Sequence, residues 1–141
     1  MNILLTSAGR RTYLVEYFKK ALCGQGKVYA SNSIDTYTLH QADGYVITPA
    51  IYDKEYINFL ISYCKKNQIS AIISLFDIDL PVLAKHKDDF EKEGIKVVVS
   101  DYNVTQICND KWSTYEFLVR LGLPQTPSYL NLENLKNDIA E

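Results

Sequence analysis

Short apolar runs alternate along this chain with stretches of helical periodicity. Five runs have the length of strands, at residues 2–6, 27–31, 44–48, 69–75 and 95–99. Runs that are apolar on both faces are typical of strands buried in a parallel sheet. The run at 69–75 is rich in isoleucine, and it is the best candidate for the central strand.

Apolar residues between these runs recur at the spacing of amphipathic helices. The first predicted helix ends at Gly24 and Gly26, the second begins near Asp53 and Glu55, and the third runs from Pro81 to Gly94. The polar segment 32–43 is expected to hold one weak helical turn. The residues that share one face are Leu14, Tyr17, Phe18, Ala21 and Leu22 in the first helix and Tyr56, Leu60, Tyr63 and Cys64 in the second, and a buried stripe of Leu80, Leu83, Ala84 and Phe90 is expected in the third.

Strands that alternate with helices predict an α/β fold. We expect a Rossmann-like, open and mainly parallel five-stranded sheet with helices on both faces. Residues 109–112 then open a further amphipathic helix, and residues 121–124 close it. The sequence therefore predicts a Rossmann-like domain at 1–109, followed at 110–141 by a linker helix and the start of a truncated second domain. The chemistry is expected to lie in the missing part.

Composition excludes several classes of partner. The net charge of −2 comes without a lysine- or arginine-rich stripe, so no nucleic-acid partner is expected. No stretch reaches the about 20 apolar residues that span a bilayer. The three cysteines have no CxxC spacing, so a zinc site is not expected. Their odd number and the lack of a signal peptide favour reduced thiols and a cytoplasmic protein.

The first candidate site is the segment from Thr6 to Arg11, between the first strand and the first helix. Ligands of open parallel sheets bind at the carboxyl ends of the strands, and helix N-termini attract anions. Ser7 and Gly9 let a ligand approach the backbone, and Arg10 and Arg11 offer donors for phosphate or carboxylate. A tight turn with two solvated arginines explains the segment equally well. With one glycine, it is not the GxGxxG motif of dinucleotide sites.

Two further candidate sites follow other strands. Asn32 can bind a substrate hydroxyl, although Asn is also an ordinary turn residue. Asp77 and Asp79 follow the isoleucine-rich run and can bind an amine, a hydroxyl or a metal. Capping of the helix that Pro81 begins is the favoured interpretation of Asp79. Asp77 is the more suggestive residue, because capping explains it less well.

Lys111 is the fourth candidate. A lysine at the start of a helix is unfavourable against the helix dipole, and a bound anion would remove that penalty. The alternative is a solvated lysine beside a capping Asn109 or Asp110. Trp112, Tyr115 and Val119 share one face of the same helix, where we expect packing residues.

Four stretches together resemble a known family. They are residues 6–11, residues 41–49 (QADGYVITP), residues 77–80 (DIDL), and Asp110-Lys111 through Phe117-Leu118, Gly122-Leu123-Pro124 and Pro127. The chain resembles the N-terminal, pre-ATP-grasp domain of ATP-grasp ligases, and most of all those similar to the carbamoyl-phosphate synthase large subunit. The fold that this implies is the pre-ATP-grasp fold.

The resemblance implies an enzyme that uses ATP and Mg²⁺ to activate a small-molecule carboxylate as an acyl phosphate, which an amine or another nucleophile attacks. It implies substrate binding by Gly9 and Arg10 and phosphate contact by Lys111. The partner would be a C-terminal ATP-grasp domain of the same chain, which would supply the metal and nucleotide ligands. The family often has glutamate where Asp79 stands. The fragment alone is expected to be inactive, and a homodimer that covers a sheet edge is left open.

Two rival hypotheses remain. A stand-alone Rossmann-like module for a nucleotide or sugar phosphate, without catalysis, would bind through Gly9, Arg10 and Asp35. A fragment of a Rossmann-type oxidoreductase is the weaker rival, because GxGxxG is absent.

Overall fold

The computed structural model describes residues 1–140, and for residue 140 it describes the backbone alone. Contacts divide this part of the chain into two compact units. The first is Met1–Tyr102, and the second begins at Asn103.

The first unit contains a five-stranded sheet with the strand order β3-β2-β1-β4-β5. All four strand pairs are parallel. The predicted α/β class and the parallel sheet are therefore confirmed. The strands are β1 (Asn2–Thr6), β2 (Val28–Asn32), β3 (Gly44–Ile47), β4 (Ile69–Ser74) and β5 (Lys96–Val97).

Helices connect the strands, and further helices follow the sheet. The segment between β2 and β3 holds a 3₁₀ turn at Leu39–Gln41, as predicted. The helices are α1 (Thr12–Leu22), α2 (Tyr56–Lys66), α3 (Asp79–Lys85), α4 (Lys87–Lys92), α5 (Tyr102–Asn109), α6 (Lys111–Arg120) and α7 (Leu132–Ala140).

The side chains of β1 alternate between two apolar cores, one on each face of the sheet. Ile3 and Leu5 pack in one core with Val15 of α1. Leu4 packs in the other core with residues of α2, α3 and α4, among them the fully buried Leu60. Helices therefore cover both faces of the sheet, as its apolar strands require.

Some element boundaries differ from the sequence-based prediction. The helix expected from Pro81 to Gly94 is divided at His86, whose φ of −107° and ψ of 15° interrupt the helical backbone. The first helix ends in a left-handed residue at Cys23 (φ 48°), immediately before the predicted Gly24. Helix α7 was not predicted; its beginning is marked by Asn131, whose Oδ1 accepts a hydrogen bond from the backbone N of Asn134.

Candidate functional site

The order of the strands identifies one crevice at the carboxyl edge of the sheet. After β1 the chain turns to α1 and β2 on one side, whereas β4 lies on the other side of β1. Connections that leave two neighbouring parallel strands in opposite directions open a crevice between them, and open α/β sheets bind ligands there. The β1–α1 loop and the β4–α3 loop border this crevice.

The β1–α1 loop carries most of the predicted site residues. Its backbone is left-handed at Ser7 (φ 52°) and at Gly9 (φ 55°). Arg11 stands at the N-cap of α1, where no side chain caps the helix. Uncapped backbone N–H groups with the positive end of the helix dipole attract an anion. Within residues 1–140, neither Arg10 nor Arg11 forms an ion pair.

Asp79 lies at the centre of a cluster of hydroxyl groups, which we name the Asp79 hub. Its Oδ2 accepts hydrogen bonds from Thr6 Oγ1 (2.6 Å), Ser7 Oγ (3.1 Å) and Ser74 Oγ (2.9 Å). Its Oδ1 accepts a hydrogen bond from the Tyr56 hydroxyl at 2.9 Å. The hub thus joins β1, the β1–α1 loop, β4, α2 and α3 through one carboxyl group.

The centre of the Asp79 hub is buried, and the hub contains no basic side chain. Asp79 and Thr6 are 0% exposed, and Tyr56 is 1% exposed. A buried carboxylate is costly unless hydrogen bonds satisfy it, and here four hydroxyl donors do so. Burial, reinforced by the Asp79 carboxylate, raises the pKa of Tyr56 well above its usual value. Tyr56 therefore stays a neutral donor.

The capping interpretation of Asp79 is wrong. Asp79 is the first residue of α3, Ile78 occupies the N-cap, and no side chain caps this helix. The carboxylate points instead into the hub, because three hydroxyl groups converge on its Oδ2. Pro81 does lie in the first turn of α3, as predicted.

The other predicted site residues take different places. Asp77 is exposed in the β4–α3 loop, and among the described residues its one hydrogen bond is that of its backbone carbonyl, which accepts from the backbone N of Leu80. Asn32 is the last residue of β2, and its Nδ2 donates to the carbonyl of Ile34 at 3.1 Å. The structure therefore brings Ser7 and Asp79 into direct contact, while Asn32 holds its own turn.

Sequence reasoning named Ser7 as a site residue but did not identify Thr6, Ser74 and Tyr56 as donors to Asp79. Thr6 and Ser74 are register partners at the ends of β1 and β4, and Ser31 stands near the end of β2. Ser31 is 1% exposed, and its hydroxyl has no hydrogen-bond partner within the described residues. The available signal was a hydroxyl residue at the end of each of these apolar runs or one residue before it.

Lys111 lies in the second unit, as the first residue of α6. Asp110 caps this helix, because its Oδ1 accepts a hydrogen bond from the backbone N of Ser113 at 2.7 Å. That bond lowers the pKa of Asp110. The exposed Lys111 beside a capping Asp110 matches the solvated alternative, and its predicted phosphate contact stays a prediction.

The described residues do not fit a magnesium site. Mg²⁺ is held by oxygen ligands, chiefly carboxylates, and no group of three or more His, Cys, Asp or Glu side chains is close enough to hold a metal within the described part of the chain. The donors that are present at the crevice, two arginines and a helix N-terminus, suit an anion instead. No helix among the described residues has the length and apolar character needed to cross a membrane.

A groove of about 430 Å³ lies between α2 and the α3–α4 pair. Its apolar lining includes Ile57, Ile61 and Val82. None of the predicted site residues lines this groove. The topology of the sheet, and not this groove, therefore identifies the candidate site.

The fold is shared with biotin carboxylases. The biotin carboxylase domain of a single-chain bacterial carboxylase has a TM-score of 0.64 at 16% identity, over 94% of this chain and 32% of that chain. The complete multifunctional pyruvate carboxylase from Rhizobium etli has a TM-score of 0.59 at 17% identity, over 90% of this chain and 13% of that chain. The bicarbonate-bound biotin carboxylase domain of a thermophilic 2-oxoglutarate carboxylase has a TM-score of 0.62 at 16% identity, over 96% and 32%. The chain thus spans a third or less of these proteins.

A family model described as the PylC-like, N-terminal domain matches residues 3–98. No curated protein sequence matches the chain. The matched segment contains the whole sheet apart from the first residue of β1, together with the Asp79 hub. It confirms the resemblance to the N-terminal, pre-ATP-grasp domains of ATP-grasp ligases, and the chain belongs to the PylC-like, N-terminal domain family.

Proposed function

We propose that this chain is the substrate-side, N-terminal domain of an ATP-dependent ligase. The observation that carries the proposal is the family match over residues 3–98, which contains the crevice between β1 and β4. In the full-length enzyme, ATP and Mg²⁺ would activate a carboxylate as an acyl phosphate, and an amine or another nucleophile would attack it. A likeness to the carbamoyl-phosphate synthase large subunit remains part of this proposal.

The β1–α1 loop would bind the anionic group of the substrate. Three donors meet there: the uncapped N-terminus of α1, Arg10 and Arg11. The exposed Arg10 is free to turn toward a ligand. Arginine binds carboxylate and phosphate through two parallel hydrogen bonds, which orients the bound group as well as attracting it. This chain would therefore position the substrate, while the ligands of ATP and Mg²⁺ would come from elsewhere in the protein.

We propose a C-terminal ATP-grasp domain as the partner, in the same natural protein. The support is that the chain corresponds to 32% of the chain of a biotin carboxylase domain and to 13% of a complete multifunctional pyruvate carboxylase. The sequence of the parent gene tests this directly. We expect the coding sequence to continue into a region with a nucleotide-binding lysine and paired metal-binding carboxylates. A continuation without any triphosphate-binding region would refute the assignment.

Lys111 is proposed to contact the nucleotide phosphates in that full-length enzyme. Lys111→Ala is then expected to raise the KM for ATP, with Lys136→Ala, an exposed lysine of α7, as the control. Unchanged ATP kinetics would leave Lys111 as a solvated residue beside its capping neighbour.

The runner-up is a stand-alone module that binds a nucleotide or sugar phosphate. The observation in its favour is that the anion donors of the β1–α1 loop are complete within this chain. Isothermal titration of the 141-residue chain with ATP and nucleotide sugars separates the two functions. Micromolar binding favours the module, whereas the ligase domain is expected to bind ATP weakly or not at all.

A further inference from the structure

The β1–α1 loop contains a strained residue that needs an external support. Ser7 has a φ of 52°, in the left-handed region that side chains other than glycine rarely adopt. Such a conformation persists only where surrounding contacts hold it. Ser7 Oγ donates to Asp79 Oδ2 at 3.1 Å, and Ser7 is the first residue after β1.

The same oxygen also fixes the residue before the loop. Thr6 Oγ1 donates to Asp79 Oδ2 at 2.6 Å, so two consecutive residues at the exit of β1 are tied to one atom. The other two donors belong to regular elements, Ser74 to β4 and Tyr56 to α2. Ser7 is thus the one member of the hub that lies in the loop itself.

We propose that Asp79 is a positioning residue that sets the conformation of the β1–α1 loop through Ser7. With Ser7 left-handed and Gly9 left-handed at 55°, the chain enters α1 with its N-terminus uncapped. Asp79 is 0% exposed and both of its oxygens accept internal bonds, so it acts on the crevice through its neighbours and does not contact a ligand. The inference deepens the proposed function, since it rests on that function for the purpose of the loop.

Matched serine variants test the proposal on the chain itself. Ser7→Ala and Ser74→Ala each remove one hydroxyl donor to Asp79 Oδ2. Only Ser7→Ala removes a donor that belongs to the β1–α1 loop. Amide hydrogen exchange of Ala8 and Arg11 reports loop opening, because Ala8 N donates to Ser31 O and Arg11 N donates to Ala8 O, each at 3.0 Å. Exchange is expected to be about three- to tenfold faster in Ser7→Ala than in Ser74→Ala, the factor expected for one ordinary hydrogen bond.

Equal exchange of these amides in the two variants, or no change in either, overturns the proposal. Asp79→Asn should reproduce the effect of Ser7→Ala. This variant is also expected to lower global stability. If Asp79→Asn does not fold, the comparison of Ser7→Ala with Ser74→Ala decides the test.

A titration with inorganic phosphate separates this inference from the proposed function. The amide signals of residues 9–12 should shift on phosphate binding, with an affinity reduced in Ser7→Ala and maintained in Ser74→Ala. Faster loop exchange in Ser7→Ala without phosphate binding by the unmodified chain would leave Asp79 as a positioning residue and remove the anion site. An equal phosphate affinity in all three chains would contradict the claim that Asp79 governs the site.

Discussion

Tyr56, the first residue of α2, donates its hydroxyl to Asp79, the first residue of α3, at 2.9 Å. Two helices that approach the same edge of the sheet are thus joined at their starts by a buried hydrogen bond. The bond also completes the set of donors around the Asp79 carboxylate, because it is the one that reaches Oδ1. The stability of the domain should depend on it.

Tyr56→Phe removes this donor and little else. The ring is retained, but Asp79 Oδ1 loses its hydrogen bond in a site closed to water. We expect a loss of about 1–3 kcal/mol in the free energy of unfolding, the usual cost of an unsatisfied buried acceptor. Urea denaturation followed by circular dichroism measures it. Tyr63→Phe on the same helix is the control, because the Tyr63 hydroxyl makes no hydrogen bond within the described residues.

The raised pKa of Tyr56 predicts how stability changes at alkaline pH. Burial, reinforced by Asp79, holds the phenol neutral in the folded protein, while the unfolded chain ionises near pH 10. The contribution of the neutral Tyr56 phenol to the free energy of unfolding is therefore complete below about pH 10 and is lost as the pH rises above that value. The stability of the unaltered chain should fall more steeply than that of Tyr56→Phe, by about 1.4 kcal/mol per pH unit. Parallel slopes for the two chains would contradict the burial of this hydroxyl.

The three cysteines should differ in reactivity. Cys64 is 0% exposed, and burial raises the pKa of its thiol to about 12, whereas Cys23 and Cys108 are exposed. Because the thiolate is the reactive form, Cys64 should resist modification in the folded chain. Titration with a chromogenic disulfide is expected to show two fast thiols under native conditions and a third after denaturation. Three fast thiols in the native chain would contradict the packing of Cys64.

The cap of α6 should depend on acid pH. Hydrogen bonding from the Ser113 backbone lowers the pKa of Asp110 in the folded state. The contribution of the cap to stability is thus present at pH values above the ordinary pKa of aspartate, and it is lost as the pH falls through the lowered pKa of Asp110. Asp110→Ala should lower the protection of the amides in the first turn of α6 against exchange at neutral pH. In this variant the protection should no longer fall as the pH becomes acidic. Asp110→Asn, which keeps an oxygen acceptor, should restore slow exchange at neutral pH.

Periodicity was sufficient to predict the sheet, because each strand is a local run of apolar residues. The bounds of β1 agree with the prediction, and the other strands differ by a few residues. The hub could not be predicted in the same way. Tyr56 was correctly placed on the apolar face of the second helix, but the partner of its hydroxyl group lies 23 residues away. Asp79 before Pro81 matches the local pattern of a cap, and only the tertiary structure shows that its carboxylate turns inward.

Arg10→Ala in the full-length enzyme tests the anion site of the β1–α1 loop. Removal of one charged donor should raise the KM for the anionic substrate by about tenfold or more, since hydrogen bonds to charged groups are stronger than neutral ones. The melting temperature should be unchanged, because Arg10 is exposed and forms no ion pair within residues 1–140. Lys20→Ala is the control, because it removes an exposed positive charge from the last turn of the same helix, α1. An equal change in KM for the two variants would show that general charge, and not a contact with Arg10, attracts the substrate.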